Sequence, residues 1–211
     1  MKLKLLYNEN IFKSNMMVAR KFYQYSFNKK IILDVGCGVG DVSKGFCKTN
    51  EVHGIDISIK NLRIAEQRDI ITKKCNIEDK FPYKSDIFDI VICSEVIEHL
   101  FDPENTIRES YRVLKKGGMV LLSTPNFYSF INRIKILSGR HRGIELPDYA
   151  ARQHIRFYSQ TGLKELLCNA GFKIIKQEGI GFHPLKPSRK LEFIEHKFKT
   201  LCDNIFIEAI K

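Results

Sequence analysis

Short apolar runs broken by polar turns recur along this chain, and their lengths point to strands alternating with helices. The first is Ile31-Ile32-Leu33-Asp34-Val35, four apolar residues of five, which reads as a strand buried on both faces. Val52-His53-Gly54-Ile55-Asp56-Ile57, Ile70 to Cys75 and Ser85 to Ser94 predict the second, third and fourth strands, and Ser58 reads as the N-cap of a helix through Ala65. Asp102-Pro103 opens a helix, with the acid as N-cap and the proline at the first helical position. Ile107, Tyr111 and Leu114 share one face of it, and Lys115, Lys116 and the Gly117-Gly118 pair predict its end. Met119 to Ser123 is the fifth strand, stopped by Thr124-Pro125-Asn126. Ser159 caps a helix whose apolar stripe is Leu163, Leu166, Leu167 and Ala170 and which Gly171 ends. Phe172 to Lys176 and Asn204 to Ile210 are the last two strands, and Phe193 to Leu201 reads as helical. Strand and helix alternate as in an α/β fold with a doubly wound sheet.

Two stretches depart from this rhythm. Residues 1–28 predict an N-terminal helical arm, with Met16, Met17, Phe22, Tyr23 and Phe27 on a partly periodic apolar face. Residues 126–158 mix Phe127, Tyr128, Phe130, Ile131, Ile134 and Leu137 with Arg133, Lys135, Arg140, His141 and Arg142. An insertion after the fifth strand lies above the strand C-termini, where α/β sheets bind ligands, so it reads as a helical substrate lid.

With 211 residues the chain suffices for a single domain, 1–211. It holds no apolar run long enough to span a bilayer, and its basic start is not a secretory signal. The six cysteines have no C-x-x-C spacing and read as reduced thiols in a cytoplasmic protein. Charge is uneven: residues 1–105 carry 16 Lys+Arg against 15 Asp+Glu, and residues 106–211 carry 19 against 9. The basic excess lies on the half expected to hold an acceptor, which suits an anionic partner such as RNA, a nucleotide-sugar, a phospholipid surface or an acidic metabolite; a lysine-rich proteome explains it equally well.

The candidate chemistry begins at Asp34 and the loop Gly36-Cys37-Gly38-Val39-Gly40, spaced G-x-G-x-G. Glycines let the backbone turn sharply and approach a ligand closely. Asp41 stands where the dinucleotide fingerprint has its third glycine, at the expected start of a helix whose field favours anions. The loop therefore suits a cationic or zwitterionic ligand better than a diphosphate. Asp56, at the tip of the second strand and 22 positions after Asp34, is placed to accept both hydroxyls of a ribose. Cys37 is a small apolar filler, and His53 and His183 read as structural.

These motifs, with Arg112-Val113-Leu114-Lys115-Lys116-Gly117-Gly118 and the strand after it, resemble the class I S-adenosylmethionine (SAM) methyltransferases over residues 30–126, and more loosely over 154–211. The resemblance implies a Rossmann-like seven-stranded sheet of order 3-2-1-4-5-7-6 with the last strand antiparallel. It implies SAM held by Asp34, Gly36, Gly38, Gly40, Asp56, Ile57, Asn76, Ile77 and Ser94, Asn76 replacing the commoner Asp. In this family the arm frequently closes over SAM, which brings Arg20 toward the cofactor carboxylate.

After the fourth strand comes Glu95-Val96-Ile97-Glu98-His99-Leu100. On a helix, Glu95, Glu98 and His99 share one face, and with His154 they form a candidate Mg²⁺ or Mn²⁺ site. The stretch resembles the E-x-x-E-H of the ubiquinone-biosynthesis O-methyltransferases and of the enzymes that 2′-O-methylate small RNAs. It also resembles a metal-free E-x-x-E-H-L in other methyltransferases, where His99 or His154 is the candidate general base. The expected activity is O-methylation of a small-molecule, sugar or lipid-linked acceptor. Small-RNA 2′-O-methylation is the alternative, and a NAD(P)-binding oxidoreductase or a non-catalytic nucleotide-binding protein the rival from another class.

Overall fold

The protein is described from a computed structural model, which covers residues 17–140, 154–182 and 197–211. Residues 1–16 of the arm, including Met16, residues 141–153 of the lid, and His183 and residues 193–196 lie outside the described residues. One sheet takes seven strands: β1 Ile31–Val35, β2 Glu51–Asp56, β3 Ile71–Lys74, β4 Phe88–Ser94, β5 Leu114–Pro125, β6 Lys173–Ile180 and β7 Asn204–Ile210. Their order is β3-β2-β1-β4-β5-β7-β6, as the family resemblance implied. β3, β2, β1, β4 and β5 are mutually parallel, and β7 runs antiparallel between β5 and β6.

The hydrophobic pattern explains the core. Leu33, Val35, Val91 and Cys93 face one layer, with Ile107, Leu163 and Leu167 of the helices; Ile32, Ile90, Ile92 and Leu121 face the other. The helices are α1 (17–22), α2 Ile59–Glu66, α3 Pro103–Val113, α4 Phe130–Leu137 and α5 Gln160–Asn169. Three of the expected caps are made: Ser58 Oγ accepts from Asn61 N (3.3 Å), Asp102 Oδ1 from Asn105 N (2.9 Å) and Ser159 Oγ from Gly162 N (3.0 Å).

Two expectations are corrected. The helix expected near Asp41 is a single 3₁₀ turn, Ser43–Phe46. Ten residues, 41–50, separate the glycine loop from β2 and must return down a five-residue strand. That is about 17 Å, and an α-helix of ten residues rises only about 15 Å with nothing left for the turn; 3₁₀ and extended backbone cover the distance. α3 ends at Val113 rather than at the glycines, because Leu114 already pairs with Phe88 and Lys115 reaches Asp89 (3.0 Å). Of the helix expected over Phe193 to Leu201, the described part has Lys197 helical and Lys199–Leu201 in a 3₁₀ turn.

The arm docks rather than hangs free. Val18 and Phe22 of α1 are buried, Phe22 edge-on to Phe206 of β7 (5.3 Å). Lys21 pairs with Glu178 (2.8 Å), and Tyr25 donates to Glu208 (2.6 Å). Arg20 points to solvent, and the arm meets the glycine loop through Tyr23 instead. In the lid, α4 buries none of its residues.

Candidate active site

The loop after β1 turns through three left-handed glycines, Gly36 (φ +68°), Gly38 (φ +52°) and Gly40 (φ +78°). A Cβ on Gly36 would stand 2.7 Å from Val96 Cγ2, while Gly38 faces open space. The loop is sewn to the tip of β2. Gly36 N and Cys37 N donate to Ile55 O (2.8 and 3.0 Å), and Gly38 N donates to Asp56 Oδ2 (2.9 Å). Ser58 N donates to the other oxygen of Asp56 (2.8 Å), which fixes the carboxylate with lone pairs of both oxygens still to offer. Ile77 Cδ1 stands 3.5 Å from the Gly36 Cβ position, so the loop and the segment after β3 are neighbours. Asn76 Oδ1 accepts from Glu78 N (3.3 Å), and Ile57 lies exposed beside Asp56.

Asp34 is buried at the end of β1, and burial pushes its carboxyl up to about 7, with the charge of Asp56 adding to the effect. Cys37 is buried, and burial raises its thiol far above the usual range, which fits an inert filler. His53 accepts a structural place: it bonds Glu51 (2.7 Å) and packs edge-on against Tyr83 and Phe88.

The charge on Asp41 does not confront a ligand alone. Arg68 donates to its Oδ1 (2.7 Å) and Lys44 approaches at 3.2 Å. These two cations hold the carboxyl below the ordinary range against the opposing effect of burial.

Beyond β4 the E-x-x-E-H stretch is not α-helical. Ile97–His99 forms one 3₁₀ turn, and Glu95 takes a left-handed φ of +55°, a strained backbone of the kind that concentrates at functional sites. The four expected ligands therefore do not converge as a set. Glu95 bonds Ser123 Oγ (2.9 Å), which also meets Ser94 Oγ (3.1 Å). Among the described residues, Glu98, His99 and His154 bring ligand atoms within 4.8 Å of one another. The segment carrying His154 is pinned there by Ile155 N and Arg156 N, both donating to Glu98 O (2.9 and 3.1 Å), and by the Arg156 guanidinium on the carbonyls of Leu100 and Phe101.

Glu98 is the centre of this cluster. It is 2% exposed, and its Oε2 accepts from Thr124 Oγ1 (2.9 Å). Its Oε1 is buried with no hydrogen-bond partner, and the Nε2 atoms of His99 and His154 stand 3.8 and 4.0 Å away. Those distances are too long for hydrogen bonds. Burial, reinforced by Glu95, pushes Glu98 well above its ordinary range; burial also pushes Glu95 up to about 7. His154 is lowered to about 4 by burial and by His99, so it is neutral near pH 7 and its ring can act as an acceptor or ligand. Thr124, Ser123, Arg68 and Tyr23 carry no signal in the sequence, because each reaches the site from a distant element.

A model of the methyltransferase domain family matches residues 7–177. A ubiquinone biosynthesis O-methyltransferase of Hydrogenovibrio crunogenus is 31% identical over 167 residues, covering 76% of this chain and 69% of that protein. A methyltransferase solved with the Haloferax volcanii Trm112 methyltransferase activator superposes with a TM-score of 0.70 at 17% identity, covering 97% of this chain and 93% of its own. A SAM-dependent methyltransferase of Thermotoga maritima gives 0.66 at 20% identity, covering 96% and 95%. At these identities the solved structures speak for the fold.

Proposed function

Because this chain belongs to the methyltransferase domain family and is a class I SAM-dependent methyltransferase, we propose that it methylates a hydroxyl oxygen of a small-molecule or lipid-linked acceptor. The observation that carries this reading is the orphaned Oε1 of Glu98, buried between two imidazoles just past the end of β4. A polar atom so placed costs free energy unless something meets it. SAM, when bound, supplies a methyl group already activated by the sulfonium. The protein's remaining tasks are to place the acceptor oxygen in line and to take up its proton.

The cofactor fits the residues present. The open face of Gly38 and the left-handed turns at Gly36 and Gly40 give it close backbone, Asp56 offers lone pairs on both oxygens for the ribose hydroxyls, and Asn76 and Ile77 suit the adenine edge and face. Ile57 lies exposed beside Asp56, and Ser94, at the end of β4, meets Ser123 Oγ (3.1 Å). Asp34, buried at the end of β1, adds negative charge beside the loop that would suit the cationic end of SAM. A divalent cation also fits: Glu98 Oε1 and the Nε2 atoms of His99 and His154 present one oxygen and two nitrogens. Two imidazoles favour Mn²⁺ over Mg²⁺. Such a cation would lower the pKa of a bound acceptor hydroxyl. Without it, His99 or His154 is the group in place to accept the proton.

The family sets aside the oxidoreductase reading, and the match to proteins named for ubiquinone biosynthesis O-methylation favours a small or lipid-linked acceptor over RNA. Among the described residues no helix is long and apolar enough to cross a membrane. The test is transfer of labelled methyl from SAM into lipid, soluble-metabolite and small-RNA fractions, with and without a chelator. Label in lipid or metabolite, lost to chelator and restored by Mn²⁺, supports the full reading. Chelator-insensitive label removes the cation and leaves the imidazoles as the base. Label in RNA alone overturns the acceptor class.

A further inference from the structure

We propose that Arg68 is a positioning residue for SAM, acting through the glycine loop in place of the helix that the loop lacks. The inference rests on the reading of that loop as the SAM site. Where the loop should pass into a helix, only Ser43–Phe46 follows as a 3₁₀ turn. Beside that turn, Gly40 N donates to Cys37 O (2.8 Å) and Lys44 N to Gly40 O (3.1 Å). Two side chains from elsewhere supply what a helix would.

The first is Arg68, just past the end of α2. Its Nη1 donates at once to Val39 O (2.9 Å) and to Asp41 Oδ1 (2.7 Å), so one guanidinium ties a backbone carbonyl between two left-handed glycines to the acid after the loop. The second is Tyr23, from the arm. Its hydroxyl donates to Asp41 O (2.7 Å), and its ring fills the space a Gly45 side chain would need, 2.2 Å from that Cβ position. The loop between Gly38 and Gly45 is therefore clasped from both flanks. As a bare ion pair the contact would matter little, since Asp41 is 67% exposed and Arg68 31%. Its effect lies in geometry. Val39 sits between Gly38, whose open face meets the ligand, and Gly40, whose left-handed turn is backed by Ile70. Fixing that carbonyl fixes the peptide that approaches SAM, and a loop held in its bound shape loses less freedom when the ligand arrives.

The experiment titrates SAM calorimetrically into the full chain as wild type, Arg68→Ala, Arg68→Lys, Asp41→Ala and the Arg68→Ala/Asp41→Ala double variant, with the melting temperature of each without ligand. The expected loss for Arg68→Ala is about tenfold in SAM affinity, the size of one charge-assisted hydrogen bond. Arg68→Lys recovers part of it, because an ammonium supplies the charge without the planar fork. The double variant is no weaker than Arg68→Ala alone, since both singles remove one clasp. Ligand-free melting temperatures stay within about 2 °C of wild type, as for an exposed ion pair. Arg68→Ala binding SAM within twofold of wild type, or single losses that add in full, overturns the proposal. A wild type that fails to bind SAM at all overturns the cofactor reading and the proposal together.

Discussion

Replacing Asp34 with Asn separates what this carboxylate does for the ligand from what it does to the fold. Asp34 is 3% exposed, and burial, then the neighbouring Asp56, raises its carboxyl from 3.8 to about 7. A raised acid favours the neutral form in the folded state. Its contribution is harmless below the unfolded value near 3.8, and stability is lost as pH rises through about 7. At 1.36 kcal/mol per unit, the penalty is about 2 kcal/mol at pH 5 and about 4 kcal/mol at pH 8. Against a typical total of about 5–15 kcal/mol this is large. Asn keeps the shape without the charge. Urea denaturation of wild type and Asp34→Asn at pH 5, 6, 7 and 8 measures the gap at each pH, and groups common to both, such as His154, cancel. The variant gains on wild type as pH rises, by about 2 kcal/mol between pH 5 and 8. SAM binding runs the other way: a cationic ligand draws Asp34 toward its charged form, so wild-type affinity increases from pH 6 to 8, whereas the variant binds weakly with a flat profile. A stability gap independent of pH, or wild-type affinity unchanged over that range, refutes the reasoning.

Asp56→Ala removes the acceptor of Gly38 N and Ser58 N together with the ribose contacts, and SAM affinity falls about a hundredfold or more; binding as tight as wild type would sink the cofactor map. Gly36→Ala places a Cβ 2.7 Å from Val96 Cγ2 at φ +68°, and costs about 1–3 kcal/mol, read as a lower melting temperature; an unchanged melting temperature contradicts the packing described. Glu98→Gln keeps the bond from Thr124 within reach but removes the carboxylate that a cation would draw into its ionised form between His99 and His154; Mn²⁺ affinity measured by calorimetry falls at least tenfold while SAM binding holds, and equal Mn²⁺ binding excludes this cluster as the cation site.

What the sequence made legible was local or two-periodic. Ile31 to Val35 was visible as a buried strand, and Ser58, Asp102 and Ser159 were visible as caps, because each signal lies within a few residues of the structure it makes. Asp56 was legible because strand and glycine loop share one short unit. The E-x-x-E-H stretch misled, since i, i+3 and i+4 share a face only on a regular helix. Burial of Val96 and Ile97 turns the chain into a 3₁₀ turn and sends Glu95 toward Ser123. His154 was placed correctly with Glu98, but the contacts that hold its segment run between residues more than fifty positions apart, and no spacing rule reaches that far.

The single 3₁₀ turn after the glycine loop also sets where the molecule breathes. A short 3₁₀ turn opens locally at lower free energy than the central strands, so the amides from Gly38 to Phe46 are expected to exchange with solvent well before those of β1 and β4. Because Tyr23 bears on that segment, residues 17–25 should slow together with it when ligand is added. Exchange mass spectrometry would then show cofactor occupancy as protection in two separate stretches, one of them outside the site itself.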